Sequence, residues 1–310
     1  MSHCLFCAKP SDTDFHPRCA KLMFGDKLAP EISIRFKEIK EIAKQNLLAR
    51  LSVTGVQSKI SLELETETDQ NKRLTIVGFQ GDFILKPPSE EYPNLPENEH
   101  LTMLLAKEFS FEVASSSLIR LASGEFAYLT KRFDRKNGIK LAQEDFCQLT
   151  ERLTEDKYKG SYESIARWIK NYTTAPGIDL VRYFEMVLFS YLTGNTDMHL
   201  KNFSIQTDLE GRVKLAPAYD MLSVKLILPE ETEEMALTVN GKKNKLSARD
   251  WEEFANSISL PRNVFLKTMD ELNRILPKLL KQIETYPFGT SFRKPYLQLV
   301  KSRAKKMSAG

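Results

Sequence analysis

The chain has 310 residues, 42% of them apolar and 28% charged, which is enough for two domains with buried cores. A formal charge of +4 is too small to predict a nucleic-acid-binding face by itself. The sequence has neither a long uncharged apolar run nor the apolar core of a signal peptide. We therefore predict a cytoplasmic protein that does not cross a membrane.

Three of the four cysteines lie within the first 19 residues. Cys4 and Cys7 form a C-x2-C pair, and His16 and Cys19 form an H-x2-C pair. Thiolates and one imidazole at this spacing suit tetrahedral zinc, and four protein ligands leave no open position for catalysis. The alternative is a reduced, metal-free turn in which the cysteines only pack. Either way, residues 1–28 are predicted to form a short head.

Residues 29–133 are predicted to be mostly sheet, because their apolar residues alternate over short runs. The predicted elements, in chain order, are a helix over 31–49, strands near 60–64, 74–79 and 83–88, a helix over 97–110 and a hairpin over 118–133.

Residues 134–310 are predicted to be mainly helical. A strong apolar helix ends at Gly194, a residue suited to a left-handed cap. A hairpin over 203–215 follows and leads into A-P-A-Y-D, which ends at Asp220. Further helices are predicted over 247–257, 262–275 and 276–286, and the basic residues Lys301, Arg303, Lys305 and Lys306 are expected to form a solvated tail. The fold class is therefore α+β, a small sheet-rich part followed by a larger helical part.

The loop D-M-H-L-K-N, which precedes the second hairpin, has the residue types of a phosphoryl-transfer site. A hairpin returns the chain to its start, so Asp220 is expected near Asp197 and Asn202, and these oxygen ligands suit magnesium. Phosphoryl transfer also uses a lysine on the phosphates, a role that Lys86 on a predicted strand could fill. Taken alone, each residue has a simpler explanation: turn chemistry for the Asp and Asn, a solvated strand edge for Lys86 and a structural role for His199. Their order along the chain favours a kinase.

The run G-N-T-D-M-H-L-K-N-F-S, followed by A-P-A-Y-D, resembles the HipA family of serine/threonine kinases, the toxins of HipBA-type toxin–antitoxin systems. T-G-V-Q-S-K, F-I-L-K-P, P-E-N-E-H, K-R-F-D-R and Q-E-D-F-C-Q occur in the family's order. The resemblance is close over residues 50–225 and looser in the C-terminal helices. It implies a two-lobed, protein-kinase-like fold of HipA type, with an N-lobe over 29–133 and a C-lobe over 134–310.

The resemblance implies a role for each residue of the catalytic set. Asp197 would orient and deprotonate the substrate hydroxyl, and His199 would touch phosphate beside it. Asn202 and Asp220 would hold Mg²⁺, and Lys86 would bind the phosphates of ATP.

The resemblance also implies how ATP is bound. The backbone of Lys131 and Phe133, in the K-R-F hinge motif, would meet the adenine. The phosphate-binding loop and its neighbours would be Thr54, Gly55, Val56 and Lys59.

Two hydroxyl residues of this loop are implied sites of autophosphorylation. Ser52 lies three residues before Gly55, where the family carries its modified serine, and Thr54 lies one residue before it. A phosphate there would repel the ATP phosphates and act as an off switch.

Only about fifty residues precede the phosphate-binding loop, as in the short HipT toxins of HipBST systems. The implied partners are a HipB-like DNA-binding antitoxin and a small HipS-like protein. The chain would contact nucleic acid only indirectly, through the antitoxin. The implied substrate is an aminoacyl-tRNA synthetase. The alternatives are a catalytically silent scaffold that binds antitoxin and DNA, and a small-molecule or lipid kinase, since phosphatidylinositol kinases share D-x-H-x-x-N.

Overall fold

The structure is a computed structural model that describes residues 2–39, 41, 59–66, 72–77, 81–136 and 138–308. Its contacts divide the chain into two compact units. The first unit comprises Met1–His100, Ala114–Phe133 and Pro287–Gly289, and the second comprises Leu101–Val113, Asp134–Tyr286 and Thr290–Gly310.

The first unit is built around an antiparallel sheet of five strands in the order β2-β1-β3-β5-β4. Apolar residues alternate along its strands, so one face is buried: across β1 and β3, Ile60 pairs with Leu85 and Leu62 with Phe83, and all four are buried. The strands are β1 (Ile60–Thr66), β2 (Lys72–Ile76), β3 (Phe83–Lys86), β4 (Ser116–Arg120) and β5 (Phe126–Lys131).

The N-terminal head shares this core. Its helix α1 (Pro17–Phe24) ends at Gly25 in the left-handed conformation. Leu5, Ala20 and Met23 are fully buried in the same apolar cluster as the strand residues. The head is therefore packed on the sheet of the first unit.

Most elements predicted for this part of the chain are confirmed, with shifted ends. The hairpin over 118–133 is formed by β4 and β5. The helix predicted over 97–110 is α2 (Leu95–Ala106), which starts earlier and gives way to turns after Ala106. Of the helix predicted over 31–49, residues 31–35 are not helical, residues 36–39 and 41 are helical, and the rest lies outside the described residues.

The second unit is mainly helical, with a small antiparallel sheet in the order β10-β9-β8. Its strands are β6 (Arg135–Lys136), β7 (Ile139–Lys140), β8 (Gln143–Asp145), β9 (Ser204–Thr207) and β10 (Val213–Leu215). Its helices are α3 (Phe146–Leu149), α4 (Tyr162–Tyr172), α5 (Pro176–Thr193), α6 (Val224–Ile227), α7 (Ala248–Ser257), α8 (Arg262–Thr285) and α9 (Arg293–Ser308).

Helix α5 is the core of this unit. Every residue from Tyr183 to Thr193 is buried, so the helix is covered on all sides, as expected of one that is apolar all round. Mixed helix and sheet agrees with the predicted α+β class. Among the described helices, none is both long enough and apolar enough to cross a membrane.

Two predictions for the C-terminal region were wrong. The helices predicted over 262–275 and 276–286 are the single helix α8, which continues through Pro277. A proline costs a helix about 3 kcal/mol, but Leu272 and Leu279 are buried on either side of it. Arg303 is also not part of a solvated tail. It is 4% exposed, and its guanidinium donates to the carbonyl of Tyr191 at 3.0 Å.

Candidate active-site residues

The catalytic loop begins where α5 ends. Gly194 caps the helix with φ of 70°, a conformation that favours glycine. A Cβ at this position would lie 2.7 Å from Leu299 Cδ2 and 3.0 Å from Lys225 Cβ. The sharp exit of the chain into the loop therefore needs glycine here for both backbone and packing reasons.

The backbone of this loop is held by side chains on both sides of Asp197. The Asn195 side-chain oxygen accepts from the Asp197 amide at 3.2 Å, and the Asn202 side-chain nitrogen donates to the Asp197 carbonyl at 2.8 Å. Tyr162 donates its hydroxyl to the Met198 carbonyl at 3.0 Å. These bonds fix the backbone of Asp197, while its side chain stays 40% exposed.

Among the described residues, two polar side chains lie beside the Asp197 carboxylate. The Tyr158 hydroxyl donates to Oδ1, and His199 Nε2 lies 3.7 Å from the same oxygen. The Tyr158 ring stands edge-on to the His199 ring, with 5.0 Å between centroids. Burial, followed by the charge of Asp197, raises the pKa of Tyr158 far above its usual range, so this hydroxyl stays a proton donor.

His199 is neutral at pH 7. Burial lowers its pKa to about 4 and outweighs the opposing effect of the Asp197 carboxylate. His199 Nδ1 is buried and has no hydrogen-bond partner among the described residues. His199 and Asp197 therefore do not form an ion pair at neutral pH, and the imidazole can offer a donor or an acceptor without adding charge.

Asn202 and the segment before Asp220 are joined through the hairpin of β9 and β10. Tyr219 donates its hydroxyl to the Lys201 carbonyl at 2.9 Å and lies 2.5 Å from Ser204 Oγ. Lys201 and Tyr219, which are adjacent to Asn202 and Asp220 in the sequence, are thus in contact.

The two proposed metal ligands have backbone and side-chain features that suit the role. Because the Asn202 side-chain nitrogen donates to Asp197, its oxygen is the atom that remains for a cation. Asp220 has a positive φ of 58°, which is uncommon outside glycine and costs on the order of 1 kcal/mol. Such backbone conformations concentrate at functional sites.

In the first unit, Lys86 forms a buried ion pair that the sequence did not reveal. Its Nζ lies 2.5 Å from Glu99 Oε1, with both side chains at most 4% exposed, and 5.3 Å from the centre of the Tyr128 ring. A strand lysine paired with a helix glutamate is the arrangement that protein kinases use to bind ATP phosphates. The one signal for Glu99 was the P-E-N-E-H motif, which also contains Glu97.

The other residues implied for ATP binding are only partly described. Lys131 ends β5 and its amide donates to the Ser115 carbonyl at 2.8 Å, and Phe133 follows two residues later. Lys59 is exposed just before β1. The predicted sites at Ser52, Thr54, Gly55 and Val56 lie outside the described residues.

The four residues of the predicted zinc site lie together in the first unit. One ligand atom from each of Cys4, Cys7, His16 and Cys19 falls within 4.8 Å of all the others. Cys4, Cys7, Cys19 and Cys147 are all described, and none of them forms a disulfide.

Residues 51–279 match the family of the HipA-like C-terminal domain, which spans most of the chain. The chain belongs to the HipA family. A Haemophilus influenzae protein named "Putative kinase" is 31% identical over 284 residues, covering 82% of this chain and 79% of that protein. The serine/threonine-protein kinase toxin HipA of Shewanella oneidensis is 26% identical over 259 residues, covering 76% of this chain and 57% of that toxin.

A solved structure confirms the HipA-type fold. The complex of HipA, HipB and operator DNA from Shewanella oneidensis matches with a TM-score of 0.68 over 88% of this chain and 71% of that chain. At 22% identity this likeness shows the fold alone. The predicted protein-kinase-like fold and the resemblance to the HipA family are thus both confirmed.

Proposed function

We propose that this HipA-family protein is an ATP-dependent kinase that phosphorylates serine or threonine in a protein substrate. The observation that carries the proposal is the loop in which Asp197 is held by Asn202, with Tyr219 joining this loop to the segment of Asp220. The Lys86–Glu99 pair supports it independently, because it matches a second part of the kinase machinery.

In the proposed reaction, Asp197 accepts the proton of the substrate hydroxyl as its oxygen attacks the γ-phosphorus of ATP. The bond between the γ-phosphorus and the bridging oxygen breaks, and ADP leaves. His199, being neutral, offers a hydrogen bond to phosphate without placing a second charge beside Asp197. Lys86 binds the ATP phosphates, and Glu99 holds the lysine in position.

A divalent cation fits the ligands that Asn202 and Asp220 provide, an amide oxygen and a carboxylate, which suit Mg²⁺. Such an ion neutralises phosphate charge when bound. The adenine would meet the backbone of Phe133 and the carbonyl of Lys131, because the Lys131 amide already donates to Ser115.

We further propose that the kinase is the cytoplasmic toxin of a toxin–antitoxin system. The structural likeness to a HipA bound to HipB supports a HipB-like antitoxin as its partner. A HipS-like partner and an aminoacyl-tRNA synthetase as substrate follow from the resemblance to the short HipT toxins. Autophosphorylation at Ser52, with Thr54 as the secondary site, would switch the enzyme off.

The test is transfer of labelled phosphate from γ-labelled ATP and Mg²⁺ to proteins of a bacterial lysate. Asp197→Asn should lower the rate by about a thousandfold or more, since the variant cannot accept the hydroxyl proton. Its thermal unfolding should stay close to wild type, because the Asp197 side chain is partly exposed. Mass spectrometry of the same reaction locates phosphate on Ser52 or Thr54.

Three other results would each contradict a part of this proposal. Near-normal transfer by Asp197→Asn would contradict the assignment of the catalytic residue. Label in lipids or metabolites, with none in protein, would favour a small-molecule or lipid kinase. Label in no fraction would favour a silent scaffold.

A further inference from the structure

The head of the chain has the geometry of a tetrahedral metal site. Cys7 Sγ lies 3.5 Å and Cys19 Sγ 3.7 Å from His16 Nδ1. A zinc ion with bonds of about 2.3 Å to sulfur and about 2.0 Å to nitrogen separates its ligands by roughly 3.5–3.8 Å. The two thiol–imidazole distances thus match those around one tetrahedral ion, and all four ligand atoms lie within 4.8 Å of one another.

The imidazole of the cluster is oriented for metal binding. His16 Nε2 lies 2.9 Å from the Pro10 carbonyl, which can only accept, so Nε2 carries the proton. In the neutral ring, the lone pair of Nδ1 then faces the thiols. A backbone carbonyl that fixes the tautomer of a ligating histidine is the usual support of a metal site.

The backbone around the first two cysteines forms a tight turn. The Cys4 amide donates to the Lys9 carbonyl at 2.9 Å, and the Ala8 amide donates to the Cys4 carbonyl at 2.8 Å. Ala8 has a positive φ of 59°, so the chain bends sharply directly after Cys7. The other two ligands come from the start of α1, where His16 is the residue before the first turn.

The two residues between Cys4 and Cys7 connect this turn to the rest of the first unit. The Leu5 carbonyl accepts from the Leu118 amide of β4 at 2.9 Å. The Phe6 carbonyl lies 3.3 Å from His100 Nε2, which donates to it. His100 follows Glu99 on α2, so the C-x2-C turn contacts both the sheet edge and the helix that presents the partner of Lys86.

We propose that Cys4, Cys7, His16 and Cys19 bind one structural Zn²⁺, and that the bound ion holds the first half of α2 and strand β4 in place. Three thiolates and one imidazole favour zinc over hard cations. By holding α2, the ion would also keep Glu99 beside Lys86, and the value of this for ATP binding rests on the proposed kinase function. The metal site and its effect on local stability do not rest on that function.

The first test is the metal content of the full chain purified from medium containing zinc. We expect about one equivalent of zinc in wild type and less than about a tenth in Cys19→Ser and Cys7→Ser. Cys147→Ser is the matched control, because this buried cysteine lies in the second unit, outside the cluster, and should retain the metal. Co²⁺ substitution should give the visible absorption of a tetrahedral thiolate site. Wild type with less than about a tenth of an equivalent, or with octahedral cobalt, would overturn the proposal.

The second test is amide hydrogen exchange before and after zinc removal from wild type by a chelator. Exchange should become faster in residues 95–100 of α2 and in β4, and stay unchanged in α4 of the second unit. Exchange that changes only within residues 2–25 would contradict the proposed effect on α2 and β4. Neither readout involves phosphate transfer, so a failed kinase assay would leave both results interpretable.

Discussion

At the scale of single residues, burial decides the charge of the histidine beside Asp197. His199 is 5% exposed, and its pKa falls to about 4 although a carboxylate lies 3.7 Å away. The cost of placing a cation in a buried site therefore exceeds the attraction of a partly exposed carboxylate. The sequence places these two residues together but does not indicate which effect dominates.

This lowered pKa predicts a pH-dependent stability. The unfolded chain takes up the proton near the ordinary pKa of 6.5 and the folded chain only near 4. The contribution of neutral His199 to the stability of the fold is thus complete above pH 6.5 and is lost as the pH falls from 6.5 to 4. Between pH 7 and pH 5, His199 should account for about 2 kcal/mol of the loss in free energy of unfolding.

Urea unfolding of wild type and His199→Gln at both pH values measures this contribution. The drop in stability from pH 7 to pH 5 should be smaller in the variant by about 2 kcal/mol. Equal drops in the two proteins would show that His199 titrates normally in the folded state.

At the scale of secondary-structure elements, a substitution at Gly194 tests why the chain leaves helix α5 at this residue. Gly194→Ala should lower the free energy of unfolding by about 1–2 kcal/mol for the left-handed backbone, and by roughly 1 kcal/mol more for overpacking against Lys225 and Leu299. Gly211→Ala is the control, because Gly211 has a φ of 79° and nothing within 4 Å of an added Cβ. Equal urea midpoints for the two variants would argue against the packing part.

The buried ion pair between Lys86 of β3 and Glu99 of α2 allows a second prediction at this scale. Glu99→Gln should cost about 3–5 kcal/mol, because the Lys86 charge would stay buried without its partner. The double variant Lys86→Met and Glu99→Leu should cost less than the sum of the two single changes, since neither charge then remains. Exposed Arg249, paired with Glu253, is the control, and Arg249→Ala should cost less than about 1 kcal/mol. Additive losses in thermal or urea unfolding would contradict a coupled buried pair.

At the scale of the whole molecule, nucleotide binding should be visible as a gain in stability. A non-hydrolysable ATP analogue with Mg²⁺, at a hundred times its Kd, should add about 2.7 kcal/mol, which raises Tm by roughly 5 °C. Lys86→Met in the first unit should abolish most of the shift. Asp220→Asn in the second should remove the part that depends on Mg²⁺. A shift that is the same in all three proteins would contradict both assignments.

Much of the fold and of the candidate site follows from local rules. Gly194 as a helix cap, the hairpin before Asp220 and the spacing of the four metal-ligand candidates each depend on residues within about twenty positions of one another. Patterns of this length are visible in a single sequence. The prediction of a break between residues 275 and 276, next to Pro277, failed because burial along α8 outweighs the local preference of proline.

The sequence by itself determined which chemical groups the chain carries and in what order: a strand lysine, an acid–histidine–asparagine loop, a hairpin and a second acid. Only the tertiary structure decided that Glu99 pairs with Lys86, that Tyr158 donates to Asp197 and that Arg303 is buried beneath Tyr191. These contacts join residues 13, 39 and 112 positions apart in the sequence. The periodicity of a sequence shows which face of one element is apolar, whereas contacts of this kind depend on how different parts of the chain pack together. The same packing sets the burial that keeps His199 neutral.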